Sequence, residues 1–485
     1  MDRVDPASTL TVDTRVPTAS LDPTTTVGTF QGVEEASVVY DTLTRYDFST
    51  GLYEPFVAES LTPNGDFTEW SMKLRPGIKF GNGDPLTSKD VEYSMGRWAT
   101  ATSPTKAYLA PVESVKVVDD LTVDFVLNRP WAGFPWILSS LPGMVVNQKV
   151  VEASGDGFAR NPVGAGVGPY EPVKFAPNEE VVMRAKTDYW GGPVCNGTLR
   201  FISVPGAKAK LEAFQKGETD VVTVFDDPTV SADLSELKGV NTLNYERAGT
   251  GLGMNARPGR LFSDVRLRQA VVAALDPTQI NQRAFGGDAT MASTFTAPEM
   301  KIWGGVEGLG YDPQKAKQLV DEAVRDGANV HVNFLVSDRT NQEMALVVEA
   351  MLDRVGFQVD VETAAFAAFT ERQLAGEFDL LPMNYAVGED APLLALTTFL
   401  STNKVSNYWN VDDAQIDEAV NEVYLAQNPD ETAAAMGKLQ QRWNELSPTV
   451  PLWVQNVKRG FTNKVHGLAL GPEGRLSFEK AYTTN

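Results

Sequence analysis

Two histidines, one cysteine and 63 acidic residues bound the chemistry this chain could perform. His331 sits in an alternating apolar stretch, 330–336, that reads as a strand, which suits a structural residue better than a base or a ligand. His466 lies beside Gly467 after a second such stretch. Neither falls in a His-Glu-x-x-His pattern or any other metal spacing, so no metal site is expected. Cys195 can form neither an intramolecular disulfide nor a thiolate cluster, and it reads as a small, partly buried residue. There is no Gly-x-Ser-x-Gly elbow and no Walker loop. Carboxylates are numerous enough that counting does not exclude a glycosidase-type pair. No local constellation demands catalysis, however. The expectation is a protein that is not an enzyme and carries no cofactor, with a hydrolase as the remote alternative.

The glycine-rich run 161–169 (Asn-Pro-Val-Gly-Ala-Gly-Val-Gly-Pro) could cradle a phosphate in another setting. Here no strand-loop-helix context follows and Pro169 lacks an N–H, so it reads as a loop under tight backbone constraint.

Charge and size narrow the partners. The 42 basic and 63 acidic residues leave a net charge of -21, which repels phosphate backbones and anionic lipid, so nucleic acid is not an expected partner. The same charge favours a soluble monomer. At 485 residues, 42% hydrophobic and 22% charged, the chain has a globular composition and room for two or three domains. No apolar run approaches the roughly 18 residues of a membrane helix. The opening Met1-Asp2-Arg3-Val4-Asp5-Pro6 is polar, so an exported form is expected to have lost its leader.

The elements that would position a site follow from periodicity. Residues 10–12 begin a first strand, and Val38, Val39 and Leu43 mark a helix over 34–46. Trp70, Met72 and Leu74 alternate, as do Ile78 and Phe80 after Pro76-Gly77, predicting strand, turn and strand over 68–80. Thr87 with Asp90 three positions on is a capping box ahead of Val91, Met95 and Trp98 at helical spacing. Residues 112–127 read as two strands around Asp119-Asp120. From 256 on the pattern sharpens. Leu267, Ala270, Val271 and Ala274 form a helical stripe, and Asp312-Pro313 opens a second helix. A strand at 330–336, a helix through Met344, Val348, Met351 and Val355, a strand at 357–361, a helix near 366–375 and a strand at 378–383 complete β-α-β-α-β. Strands joined through helices run parallel, so 256–460 is expected to hold an open α/β sheet. Such sheets bind ligands beyond the carboxyl ends of their strands. Ser337-Asp338-Arg339-Thr340 and Tyr385-Ala386-Val387-Gly388-Glu389-Asp390 occupy that position.

One segment is specific enough to suggest a family. Leu74-Arg75-Pro76-Gly77-Ile78-Lys79-Phe80-Gly81-Asn82-Gly83-Asp84-Pro85-Leu86-Thr87-Ser88-Lys89-Asp90-Val91 closely resembles the signature of the family 5 extracellular solute-binding proteins, the peptide, opine and nickel group. Tyr40-Asp41-Thr42-Leu43, Tyr53-Glu54-Pro55, Gly166-Val167-Gly168-Pro169-Tyr170, Asp188-Tyr189-Trp190, Gly217-Glu218-Thr219-Asp220, Arg266-Leu267-Arg268 and Tyr311-Asp312-Pro313 agree with it in order. The resemblance runs from about Leu21 to Pro451. It implies a two-lobed α/β periplasmic-binding-protein fold (type II, Venus flytrap) with an extra subdomain in the first lobe. Lobe I would comprise 1–255, with the subdomain at about 36–185, lobe II 256–462, and 463–485 would return to lobe I. Crossings are expected near 254–258 and 460–466, with Gly251, Gly253 and Gly259 permitting rotation at the first. The implied function is capture of a small solute by hinge closure and delivery to the permease of an ABC importer. The implied location is outside the cytoplasm, with a lipid tether.

The ligand follows less directly. Peptide receptors of this family carry a Trp-x-x-Asp-x-x-Asp-Pro run whose first Asp pairs with the peptide amine. Aligned without gaps, that Asp becomes Gly388 and the second becomes Ala391, while Pro392 survives. An unpaired buried ammonium costs about 3–5 kcal/mol, so Glu389 or Asp390 would have to take over through a shifted loop. Arg339 either binds an anionic group bidentately or stands as a solvated surface arginine. Tyr385, Tyr408 and Trp409 either stack on a flat ligand or pack in the core. Asn407 and Asn255 could supply amide hydrogen bonds. The expected ligand is a peptide or peptide-like compound, the alternative an oligosaccharide or other organic solute. Nickel is disfavoured because neither histidine falls in these segments.

Overall fold

In the computed structural model the described residues are 7–26, 32–337, 342–400 and 409–484. By their contacts they form two compact units, one running to Tyr245 and resuming at Val457, the other spanning Glu246–Asn456.

In the first unit, β1 (Thr9–Asp13) is followed by a hairpin of β2 (Thr44–Asp47) and β3 (Leu52–Pro55). Then come β4 (Ala58–Pro63), β5 (Glu69–Leu74), β6 (Val112–Val117) and β7 (Thr122–Leu127), a separate antiparallel sheet in the order β4-β5-β7-β6. The alternation seen in the sequence is the pleat of β5: Trp70, Met72 and Leu74 are buried, with Trp70 opposite Phe125 and Met72 opposite Val123. Asp119 makes the β6–β7 turn by accepting the N–H of Leu121 and of Thr122, each at 2.8 Å. The strand expected at 78–80 is instead a turn touching Pro85 through one isolated bridge. Its backbone bonds are spent locally, Phe80 N–H on Asp84 O and Gly83 N–H on Phe80 O, both at 2.9 Å. The capping box is present, with Thr87 N–H donating to Asp90 Oδ2 at 2.9 Å ahead of the helix Ser88–Arg97.

The larger sheet of this unit has β8 (Tyr170–Ala176), β9 (Glu180–Ala185), β10 (Thr198–Ile202) and β11 (Val221–Phe225) in the order β11-β1-β10-β9-β8. The stretch 36–185, expected as an extra subdomain, thus contains a sheet of its own and two strands that extend from β10. The glycine loop packs on the helix Val33–Tyr40. Gly168 N–H donates to Val39 O at 2.8 Å, and a Cβ on Gly166 would stand 2.0 Å from the same oxygen. Close backbone approach, not phosphate, explains those glycines.

Two long strands, β12 (Val240–Met254) and β16 (Thr449–Thr462), contain the unit boundaries, at Tyr245/Glu246 and Asn456/Val457. These lie earlier in the chain than the crossings expected near 254–258 and 460–466. The second unit has β13 (His331–Ser337), β14 (Gln358–Ala364) and β15 (Leu380–Gly388) in the sheet order β14-β13-β15-β12-β16. β13 runs parallel to β14 and β15, as the β-α-β-α-β reading requires, while β15 pairs antiparallel with β12. Asp312 Oδ1 caps the helix Pro313–Arg325 by accepting Lys315 N–H at 2.9 Å. The stripes of the helices Val265–Ala274, Pro313–Arg325 and Gln342–Val355 meet in one core with Leu252, Met254, Phe334 and Leu380. Among the described residues no helix is long and apolar enough to cross a membrane.

Candidate functional site

Pairing with β12 decides the length of β15. Gly388 lies opposite Arg247 and Val387 opposite Ala248, so the strand continues past its expected end at 383. Tyr385 is therefore a strand residue, fully buried, rather than part of a loop beyond the sheet. Its ring meets Phe295 edge-on at 6.0 Å, and Phe295 meets Trp443 at 5.0 Å. On its other side is the backbone of Gly249, where a Cβ would stand 3.2 Å from the ring. Burial pushes the Tyr385 hydroxyl well up, and the neighbouring Thr449 hydroxyl opposes this.

Trp409 is likewise wholly buried and lies over Gly253, where a Cβ would come within 1.9 Å of its ring. Asn255, also buried, donates to Gly376 O at 3.0 Å and Phe378 O at 2.9 Å and accepts Arg257 N–H at 3.3 Å. Its amide is committed to the turn before β15. Core packing thus takes up Tyr385 and Trp409, and backbone bonding takes up Asn255. Arg339, Asn407 and Tyr408 lie outside the described residues.

The end of β15 holds the remaining three expected residues. Gly388 closes the strand. Glu389 Oε2 accepts the backbone N–H of Lys301 at 2.9 Å, and its Oε1 lies 3.6 Å from Lys301 Nζ. Asp390 is buried, just ahead of the helix Pro392–Phe399. The local carboxylate nearest the absent anchor is thus already engaged on Lys301.

Polar groups that periodicity did not reveal stand on the neighbouring strands. Asn456 Nδ2 donates to Glu246 Oε1 at 3.3 Å, which aligns this part of β16 with the stretch of β12 that faces Gly388. Next to it, Gln455 is 1% exposed, and neither its Nε2 nor its Oε1 has a partner among the described residues. The Thr250 hydroxyl on β12 is also buried and unpaired there. An unsatisfied buried polar group costs about 1–3 kcal/mol. A solute offering a donor beside an acceptor would repay the Gln455 amide. The hint in the sequence is a glutamine that directly follows the apolar run Val450 to Val454.

Elsewhere, His331 is exposed on β13 and His466 stacks on Tyr482 with centroids 4.9 Å apart. Among the described residues no three His, Cys, Asp or Glu side chains converge as a metal set.

Comparison with known proteins gives this arrangement a context. The family model described as bacterial extracellular solute-binding proteins, family 5 Middle, matches residues 53–407. The dipeptide-binding protein of Escherichia coli (strain K12) is 24% identical over 477 residues, covering 91% of this chain and 88% of its own. The ABC transporter-associated periplasmic binding protein DppA from Helicobacter pylori, solved with the peptide STSA, matches with a TM-score of 0.80 at 20% identity, over 100% of this chain and 99% of its own. AgaA from A. tumefacien R10, solved with agropinic acid, matches at 0.79 and 21% identity, over 99% of each chain.

Proposed function

From a chain that belongs to the family 5 bacterial extracellular solute-binding proteins and has the α/β fold of the two-lobed periplasmic binding proteins, we propose a receptor that captures a peptide or peptide-like solute for an ABC importer. The solute is handed to permease subunits in the membrane. The protein works outside the cytoplasm as a monomer, tethered by an N-terminal lipid, and does no chemistry on its cargo. The loaded form is selected by the contact energy it gains over the empty one.

The observation that carries this reading is the buried Gln455 amide, which has a donor and an acceptor both without partners among the described residues. A peptide bond presents the complementary acceptor and donor side by side. The dipeptide-binding relative, similar over most of both chains, supports the same class. A second reading, a receptor for an oligosaccharide or other non-peptide organic solute, draws on Glu389, whose carboxylate is held by Lys301 and leaves the Gly388 position without a nearby free acid.

Mass spectrometry of whatever solute leaves freshly purified protein on denaturation, followed by thermal-shift titration with peptides, oligosaccharides and opine-like acids, separates the two. A true ligand raises the melting midpoint by mass action, equivalent to about 2.7 kcal/mol at a hundredfold excess over Kd. Gln455→Met is expected to stabilise the empty protein by about 1 kcal/mol and to weaken that ligand about tenfold or more. If no solute shifts the midpoint, the receptor reading fails. If the variant binds like the wild type, Gln455 is not a ligand partner.

A further inference from the structure

The first unit contains a cavity of about 640 Å³ that the receptor reading leaves unused. Its walls are the helix Val33–Tyr40 and the residue after it, the β2–β3 hairpin and the chain segment 467–480. A volume of this size accommodates a small organic molecule.

Four acids line the cavity, Asp41, Asp47, Glu54 and Glu479. Asp41 is 4% exposed and lines the cavity, yet both its side-chain hydrogen bonds fall on one oxygen. Oδ2 accepts Tyr189 O–H at 2.9 Å and Trp190 Nε1–H at 3.0 Å, and Oδ1 accepts none among the described residues. The residue has a φ of 53°, a left-handed backbone rarely adopted by a residue with a side chain. Glu54 and Glu479, on the hairpin and the C-terminal segment, also border the cavity. Neither side chain has a hydrogen bond or ion pair within 4 Å among the described residues. Three cations also border the cavity: Arg475, which donates to Pro472 O at 2.9 Å and Ser139 O at 2.7 Å, Lys480, which is exposed, and Arg45. The Arg45 guanidinium stands 5.0 Å above the Phe56 ring and draws Glu479 only at longer range. Phe48, Phe56 and Tyr46 supply aromatic wall. Burial, and after it the charge of Glu479, push the Asp41 carboxyl well up, as expected where two acids share one cavity.

We propose that this cavity is a second binding site, for a small organic ammonium. The ammonium would donate to Asp41 Oδ1 and Glu479, and its hydrocarbon body would lie against Phe48 and Phe56. The site is separate from the solute site at the end of β15 and does not depend on the receptor reading.

Isothermal titration calorimetry on the full chain with 1,4-diaminobutane, butylamine and sodium butyrate tests it. The two amines should bind in the sub-millimolar range and butyrate should give no binding heat. Asp41→Asn keeps an acceptor for Tyr189 and Trp190, and Glu479→Gln removes a charge that holds no hydrogen bond, so the second variant folds even if the first does not. Each should weaken 1,4-diaminobutane at least about tenfold. Glu343→Gln, an exposed acid of the other unit, should leave the affinity unchanged. Binding of butyrate as tight as that of butylamine would overturn the proposal. So would wild-type affinity in Glu479→Gln, or a loss in Glu343→Gln equal to that in Glu479→Gln, since the cation would then be answering the net charge of the chain.

Discussion

Glu35 shows how a single buried residue can give the whole chain a pH dependence. It lies on the helix Val33–Tyr40, 1% exposed, and accepts the Thr18 hydroxyl. Burial first, with the adjacent Glu34 charge adding to it, pushes its carboxyl up to about 7, against the Thr18 bond. An ordinary glutamate ionises near 4.5. Between those two values the folded chain holds a proton that the unfolded chain has released, so stability falls as pH rises through that window and levels off above it. Glu35→Gln should remove the slope and stabilise the protein at about pH 8 by at most on the order of 3 kcal/mol, with little change near pH 4. Urea unfolding across that range measures it. The same scale accounts for how the candidate site residues fared. Residue type marked Tyr385, Trp409 and Asn255 as able to touch a ligand, but type does not report burial, and all three are buried. Gln455 went unnoticed because an amide at the end of an apolar run breaks no period.

At the scale of elements, the parts legible in the sequence were those whose packing is local. The helices Val265–Ala274, Pro313–Arg325 and Gln342–Val355 each bury one face, and their stripes, with the Asp caps of the first two, are printed at fixed spacings. β12 and β16 were not read as strands. β12 carries three glycines, and β16 is buried over most of its length, so neither shows alternation. The β12 glycines answer to partners distant in sequence, Gly253 to the Trp409 ring and Gly249 to the Tyr385 ring. Gly253→Ala should therefore cost about 1–3 kcal/mol by overpacking. Combined with Trp409→Phe it should cost less than the sum of the two single changes, a coupling that thermal unfolding of the four proteins would reveal.

At the scale of the whole molecule, the returning chain is held by a buried ion pair. Arg459 Nη2 donates to Glu34 Oε1 at 2.5 Å across a sequence separation of 425 residues, and Arg459 also bonds Gly474 O at 3.1 Å. Both side chains are under a tenth exposed. Arg459→Met should cost about 3–5 kcal/mol, because it leaves Glu34 buried without its partner. Adding Glu34→Gln should recover part of that loss in urea unfolding. The pair ties β16 to the helix Val33–Tyr40, so the final segment of the chain belongs to the unit that the first segment opens.

Composition, caps and short-range periodicity were enough to specify an α/β protein and its parallel β13–β15 core, and the resemblance of the segment 74–91 to a known signature was enough to specify the family. All of these depend on neighbours a few residues apart. Tertiary structure alone decided that β15 runs on to Gly388, that Tyr385 and Trp409 are core, that Glu389 is held by Lys301, and that Gln455 is buried without a partner among the described residues. Each of these depends on which strand lies beside which, and strand order is set by contacts between segments far apart in the chain, which no local pattern of residues records.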